Sequence, residues 1–119
     1  MIQDEEKYAA ASRELLEKAQ EALTEGDLRQ ASEKGWGAAA QIAKAVAARR
    51  GWQHQGHAEL FTVVRRLRLE TGDRRLQELL NAANGLHYNF YENWMGSEDI
   101  EVGLDQIREF VERMEQFLE

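Results

Sequence analysis

From Asp4 to Thr24 the apolar positions Tyr8, Ala11, Leu15, Ala19 and Ala22 or Leu23 recur every three or four residues, the spacing of one helix face. Glu25-Gly26-Asp27 then supplies a glycine stop followed by an aspartate cap, with Gln30 three residues on, so a second helix is predicted from Leu28. Its core positions are Ala31, Ala38, Ile42, Ala45 and Val46, and it runs to Arg49-Arg50, with Gly51 as its stop. Gly35 and Gly37 flank Trp36 inside it. An interior glycine costs about 1 kcal/mol against alanine, so the pair predicts a close approach by another element while the indole inserts elsewhere.

Residues 51–56 have no helical period and read as a loop, with Trp52 anchoring it against the bundle and His57 capping the next helix. That third helix is predicted from Ala58 to about Glu70, burying Leu60, Phe61, Val64, Leu67 and Val63. Thr71-Gly72-Asp73 starts a fourth helix that keeps Leu76, Leu79, Ala83, Leu86 and Phe90 on a three-four spacing and runs to Gly96-Ser97. The fifth carries Ile100, Leu104, Ile107, Val111, Met114 and Leu118 in an unbroken 4-3-4-3-4 rhythm. Short links between amphipathic helices favour antiparallel neighbours. The expected fold class is therefore all-α, an up-down helical bundle of about five helices forming a single domain over residues 1–119.

Composition sharpens this picture. No proline and 16 alanines remove the main helix breaker and supply the best helix former, while the absence of cysteine excludes disulfides, thiolate zinc sites and a cysteine nucleophile. Met1-Ile2 runs into Asp4-Glu5-Glu6 without the basic start and apolar run of a secretion signal. The most apolar stretch, Gly35 to Ala48, is broken by Gln41 and Lys44 and falls short of the roughly 18 apolar residues of a membrane span. A cytoplasmic protein with no membrane partner is expected.

The net charge of -7 repels phosphate backbones at long range, yet it is unevenly spread. Seven arginines against Glu59, Glu70 and Asp73 leave residues 49–75 at +4, and nine acids against Arg108 and Arg113 leave residues 92–119 at -7. Solvated faces of opposite sign explain this most simply; pairing between subunits or a local anion site are the alternatives. Phe110 and Phe117 widen the apolar face of the fifth helix. Either that helix is sandwiched in the core or part of its face meets a second subunit, and a homodimer is the expectation. Its acidic face also suits a protein partner.

Asn84, His87, Tyr88 and Tyr91 are linked by spacings of three and four, so they share one helix face at the edge of the apolar stripe. With Lys34 and Trp36 they form the expected ligand-binding cleft if the second and fourth helices adjoin. His87 is the candidate catalytic residue, as an acid-base group near neutrality; the alternative is a structural histidine. His54-x-x-His57 with Glu59 offers three metal-ligand types but no closed set, so no metal and no cofactor are expected. Hydrolase, nucleotide-fold and repeat motifs are absent.

Three blocks add a family likeness. Ala31-Ser32-Glu33-Lys34-Gly35-Trp36-Gly37-Ala38-Ala39, then Arg50-Gly51-Trp52 with Gly56-His57-Ala58-Glu59-Leu60-Phe61, and Gly85-Leu86-His87-Tyr88-Asn89-Phe90-Tyr91-Glu92-Asn93-Trp94 resemble the PaREP-type family of small helical proteins from archaea and bacteria. That family in turn resembles the HEPN superfamily, whose helical bundles are often homodimeric and include nucleotidyltransferase partners and metal-independent ribonucleases. The resemblance implies a HEPN-like fold and makes RNA or a nucleotide a conceivable ligand. HEPN ribonucleases pair an arginine with a histidine across four to six intervening residues. For His87 those places hold Leu80, Asn81 and Ala82, and the arginine is missing; Arg49-x4-His54 and Arg50-x6-His57 fit the spacing but straddle a helix end. The reading is thus a HEPN-like binding or interaction module, with a metal-independent ribonuclease or nucleotide-binding protein using His87 as the alternative.

Overall fold

The computed structural model describes residues 2–119; Met1, the first residue of the start expected to lack a secretion signal, lies outside them. Five helices follow one another: α1 (Ile2–Thr24), α2 (Leu28–Arg50), α3 (His57–Thr71), α4 (Arg75–Glu92) and α5 (Ser97–Glu115), closed by a 3-10 turn at Gln116–Leu118. The punctuation acts as the sequence predicts. At the end of α1, Gly26 takes φ +82°, and the Asp27 amide donates back to the Ala22 carbonyl at 2.9 Å while Asp27 Oδ1 accepts from the Gln30 amide. At the end of α2, Gly51 takes φ +72° and the Trp52 amide reaches the Ala47 carbonyl at 2.9 Å. A left-handed residue closes each helix without the clash a Cβ would bring.

The helix α2 touches every other element of the bundle. Contact on so many sides requires small side chains, and its buried residues include Ala31, Ala38, Ala39, Ala40, Ala43, Ala45 and Ala47. Its close partner on one side is α1, where the buried Ser12 hydroxyl donates to the Ala38 carbonyl at 2.7 Å. The α1 stripe is accordingly centred on Ser12, Leu16 and Ala19, with the sequence-predicted Tyr8, Ala11 and Leu15 at its half-buried edge. On another side Leu86 of α4 fills a notch between Gly35 of α2 and Gly103 of α5. A Cβ added to Gly35 would meet Leu104 Cδ2 at 2.7 Å and Leu86 Cδ1 at 3.1 Å, and one added to Gly103 would meet Leu86 Cδ2 at 2.9 Å.

Of the two expectations for α5, burial in the core is what this chain displays. Phe110 is fully buried together with Ile100, Leu104, Ile107, Val111 and Met114, and α5 packs against α1, α2 and α4. Phe117 and Leu118 are half-buried beside it. The charge asymmetry is partly neutralised within the chain: Glu109 of α5 receives the Arg75 guanidinium at 3.0 and 3.1 Å and Arg113 Nε at 2.8 Å, and Arg113 also reaches Asp73 at 2.9 Å. Arg50 binds both oxygens of Glu70, at 2.9 and 3.0 Å. Among the described residues, no helix is long and apolar enough to cross a membrane.

Besides the earlier start of α1 at Ile2 rather than Asp4, two helix limits move for reasons visible in the side chains. The third helix begins at His57 rather than Ala58, and its start is held by Glu59, whose Oε1 accepts from the Gln55 and Gly56 amides at 2.7 and 2.9 Å, not by His57 as a cap. The fourth ends at Glu92, four residues short of Gly96, because Asn93 turns into the left-handed region at φ +51° and the buried Asn89 side chain captures the next two amides.

Two glycines inside helices should respond oppositely to alanine. At Gly85 an added Cβ would meet only Met95 Cε, at 3.9 Å, so Gly85→Ala is expected to stabilise by up to about 1 kcal/mol. At Gly35, overpacking costing about 1–3 kcal/mol outweighs that gain, and Gly35→Ala should lower the melting temperature. Glu109 and Glu70 are held below the ordinary carboxylate value, chiefly by hydrogen bonds from Arg75 and Arg50 respectively. A depressed folded-state value means that their contribution is complete above the unfolded value of about 4.3 and is lost as pH falls through the lower folded value. Urea titrations from pH 6 downward should show a shallower acid loss of stability in Glu109→Gln than in the wild type.

Candidate functional site

The α2–α4 junction gathers most of the predicted cleft. Glu33 and Trp36 stand three residues apart on one face of α2, and Asn84, His87, Tyr88 and Tyr91 do the same on α4. His87 is at the centre. Its ring lies 5.1 Å from Trp36, 5.5 Å from His57, 6.3 Å from Tyr88 and 5.5 Å, edge-on, from Tyr91. The Nδ1 of the half-buried His87 ring pairs with Glu33 Oε1 at 2.9 Å. Because a carboxylate only accepts, Nδ1 carries the proton in this pair, which leaves the lone pair of the neutral ring on Nε2.

The first residue of α3 completes the corner. The His57 ring stacks on Trp36 at 4.7 Å and on Phe61 at 5.5 Å, and its Nε2–H donates to Asn84 Oδ1 at 3.0 Å. Trp36 is the floor, only 8% exposed, whereas Tyr88 and Tyr91 stand 60% and 63% exposed at the rim. The corner therefore offers aromatic faces and edges, two oriented imidazoles and a carboxylate. The guanidinium beside it is that of Arg29, one turn before Glu33 on α2, which donates to the Phe90 carbonyl at 2.8 Å and lies over the Phe90 ring.

Lys34 does not join the group. It lies two positions from Trp36, and residues two apart on a helix do not face one another. Among the arginines on the His57 side of α3, Arg65 and Arg68 stand about 12 and 16 Å further along the helix axis. Arg75 is engaged by Glu109 and Glu78. The two spacing matches lead elsewhere as well, since Arg49 binds Glu5 at 2.8 Å and Arg50 binds Glu70. The three metal-ligand types likewise diverge: His54 Nδ1 donates to the Trp52 carbonyl at 2.8 Å with its ring edge-on to Tyr8, His57 serves Asn84, and Glu59 serves the start of α3.

Sequence reasoning missed Glu33, which orients His87, and the placement of His57 in the same corner. The i, i+3 relation between Glu33 and Trp36 was visible; the partner across the junction was not. It also missed Asn89. Fully buried, Asn89 donates from Nδ2 to Ser32 Oγ at 2.7 Å, and its Oδ1 accepts from the Trp94 and Met95 amides at 2.9 and 2.8 Å. Ser32 in turn donates to the Leu28 carbonyl. This buried chain fixes the end of α4 and with it the exposed Tyr91 and Trp94.

Comparison with known proteins returns the same helical fold. A crystal structure of a Sulfolobus solfataricus protein is similar with a TM-score of 0.81 and 24% identity, over 92% of this chain and 97% of that one. The model of the archaeal PaREP1/PaREP8 family matches residues 7–111, and the chain belongs to that family. No curated protein matches it.

Replacing Asn89 by alanine removes one buried donor and two acceptor contacts, each worth about 1 kcal/mol net. Asn89→Ala should therefore destabilise by about 2–4 kcal/mol in denaturant titration and speed hydrogen exchange at the Trp94 and Met95 amides.

Proposed function

We propose that this protein is a cytoplasmic, homodimeric, HEPN-like binding module whose recognition site is the corner around His87. The observation that carries this reading is the cluster of three heteroaromatic rings, with His57 stacked on Trp36 and His87 tilted against both, beside two exposed tyrosines. Such a surface suits a planar ligand with hydrogen-bonding edges, and the base of a nucleotide or of single-stranded RNA has that form. Base-aromatic stacking contributes about 1–3 kcal/mol per base, independent of sequence. The chain's acidity opposes nonspecific backbone binding and leaves stacking and edge recognition as the main source of affinity. The exposed Tyr88, Tyr91 and Trp94 also support the homodimer, since side chains of this kind are enriched where proteins meet.

A metal-independent ribonuclease is the second reading. It has the Glu33–His87 pair in its favour, an arrangement that readies Nε2 to take or give a proton. Against it stands the engagement of the arginine nearest the corner, since Arg29 donates to the Phe90 carbonyl at 2.8 Å. To meet the charge developing on phosphate, Arg29 would have to leave that carbonyl, or an arginine would have to come from a second copy of the chain.

The experiment is a titration of labelled single-stranded RNA and of nucleoside monophosphates into purified protein of light-scattering-determined mass, with and without chelator. Tyr91→Ala, at an exposed position, should keep the melting temperature and weaken binding about tenfold. Unchanged affinity in that variant would overturn the assignment of the corner. Cleavage that resists chelator and disappears in His87→Ala would replace the binding module by the ribonuclease.

A further inference from the structure

A second concave site lies on the opposite flank of α3. His57 and Phe61 share the flank that meets the His87 corner, whereas Glu59, Thr62, Val63 and Arg66 line a cleft of about 280 Å³ with Trp52 and Gln53. That volume is at the small end of the range for small-molecule sites. The Arg66 guanidinium lies over the Trp52 ring, 4.0 Å from its centroid, and Arg50 flanks the same indole at 5.2 Å. The two arginines differ in one respect. Arg50 is neutralised by both oxygens of Glu70, while Arg66 is held by stacking, which fixes the plane of the guanidinium and leaves its N–H edge for a ligand.

A stacked guanidinium edge matches a carboxylate bidentately. At the far end of the cleft, Glu59 is anchored through Oε1 by the Gln55 and Gly56 amides, so its second oxygen is fixed in place and free to accept. Between the two charges are the Val63 side chain and the Thr62 hydroxyl, whose proton goes to the Ala58 carbonyl at 3.2 Å, leaving the oxygen as an acceptor. One cation and one anion give the cleft no net charge, which disfavours a phosphate dianion: its second charge would face Glu59. Glu59 and Arg66 are seven residues apart, two helical turns or about 10 Å along the axis.

We propose that this cleft binds a small organic carboxylate carrying an ammonium group at the far end of an apolar body several carbons long. The carboxylate lies on Arg66, the chain on the Trp52 ring edge and the Thr62 methyl above the buried Val63, and the ammonium on Glu59. The site does not depend on the reading of the His87 corner, because none of its residues takes part in that cluster.

The probes are ε-aminocaproate, caproate, which lacks the ammonium, and glycine, which is too short to span the cleft. Each is titrated into the full chain by calorimetry, with tryptophan fluorescence in parallel. Saturable binding is expected for ε-aminocaproate, tighter than for caproate and glycine. Arg66→Gln, which leaves the two Arg50–Glu70 hydrogen bonds in place, should weaken it about tenfold, the equivalent of one lost charge-assisted contact. Glu59→Gln retains an oxygen for the helix start and should reduce ε-aminocaproate to the affinity of caproate while leaving caproate unchanged. Far-UV melts of both variants check that the fold is intact. No saturable signal with any probe, equal affinity for caproate and ε-aminocaproate in the wild type, or an unchanged constant in Arg66→Gln would each overturn the proposal.

Discussion

Everything in this bundle depends on how closely other helices can approach α2. A helix with neighbours on several sides can carry large side chains only where a neighbour leaves room, and α2 meets that constraint with alanine, serine and glycine over most of its buried surface. Ser12 bridges to the α2 backbone on one side. Leu86 fills the Gly35–Gly103 notch on another, which brings α4 and α5 against α2 at the same level. The one large ring that α2 carries inward, Trp36, is placed where α3 begins and α4 passes, and that gap becomes the aromatic corner.

The corner therefore follows from packing. With α4 set by Leu86, the next residue, His87, faces the Glu33–Trp36 side of α2, and its hydrogen bond to Glu33 decides which nitrogen keeps the proton. The thinner attachment is that of α3, whose core contribution is limited to Leu60, Val63, Val64 and Leu67. Its start is held by Glu59 and tied to α4 through His57 and Asn84, and the Arg50–Glu70 pair ties its end to α2. The two flanks of this one short helix thus present different chemistry, aromatic and imidazole on one side and an arginine stacked on indole on the other.

The sequence carried the helices legibly because their ends are written in local chemistry. Gly26, Gly51 and the rhythm of Ile100, Leu104, Ile107, Val111 and Met114 act within a few residues of themselves, and each led to the right element. Periodicity misled where a polar residue sat at the centre of a buried stripe. Ser12 and Asn89 are both fully buried, yet read by polarity they displaced the first half of the α1 face by a residue, while Ala19 and Ala22 are buried as expected, and placed Phe90 in the α4 core instead of Asn89. The error at the end of α4 has the same origin, for a side chain that accepts two amides ends a helix in a way no glycine or proline announces. The candidate site was half legible: the α4 residues shared a visible face, and Trp36 was marked by its glycines. Glu33 and His57 depended on which helices adjoin, and Lys34 fell on the wrong side of α2.

Asn89 also links the interior to the rim in a way that bears on recognition. Its side chain is anchored to Ser32 in the core, and the same carboxamide holds the backbone just before α5, so the segment bearing Tyr91 and Trp94 is shaped before any partner arrives. Ordering a loose segment on association costs about 1–2 kcal/mol per residue in backbone entropy. Here folding has already met that cost. On the reading proposed above, a surface prepared in this way holds a small or shallow ligand that a flexible terminus of the same composition would release, with selectivity set by shape more than by the strength of any single contact.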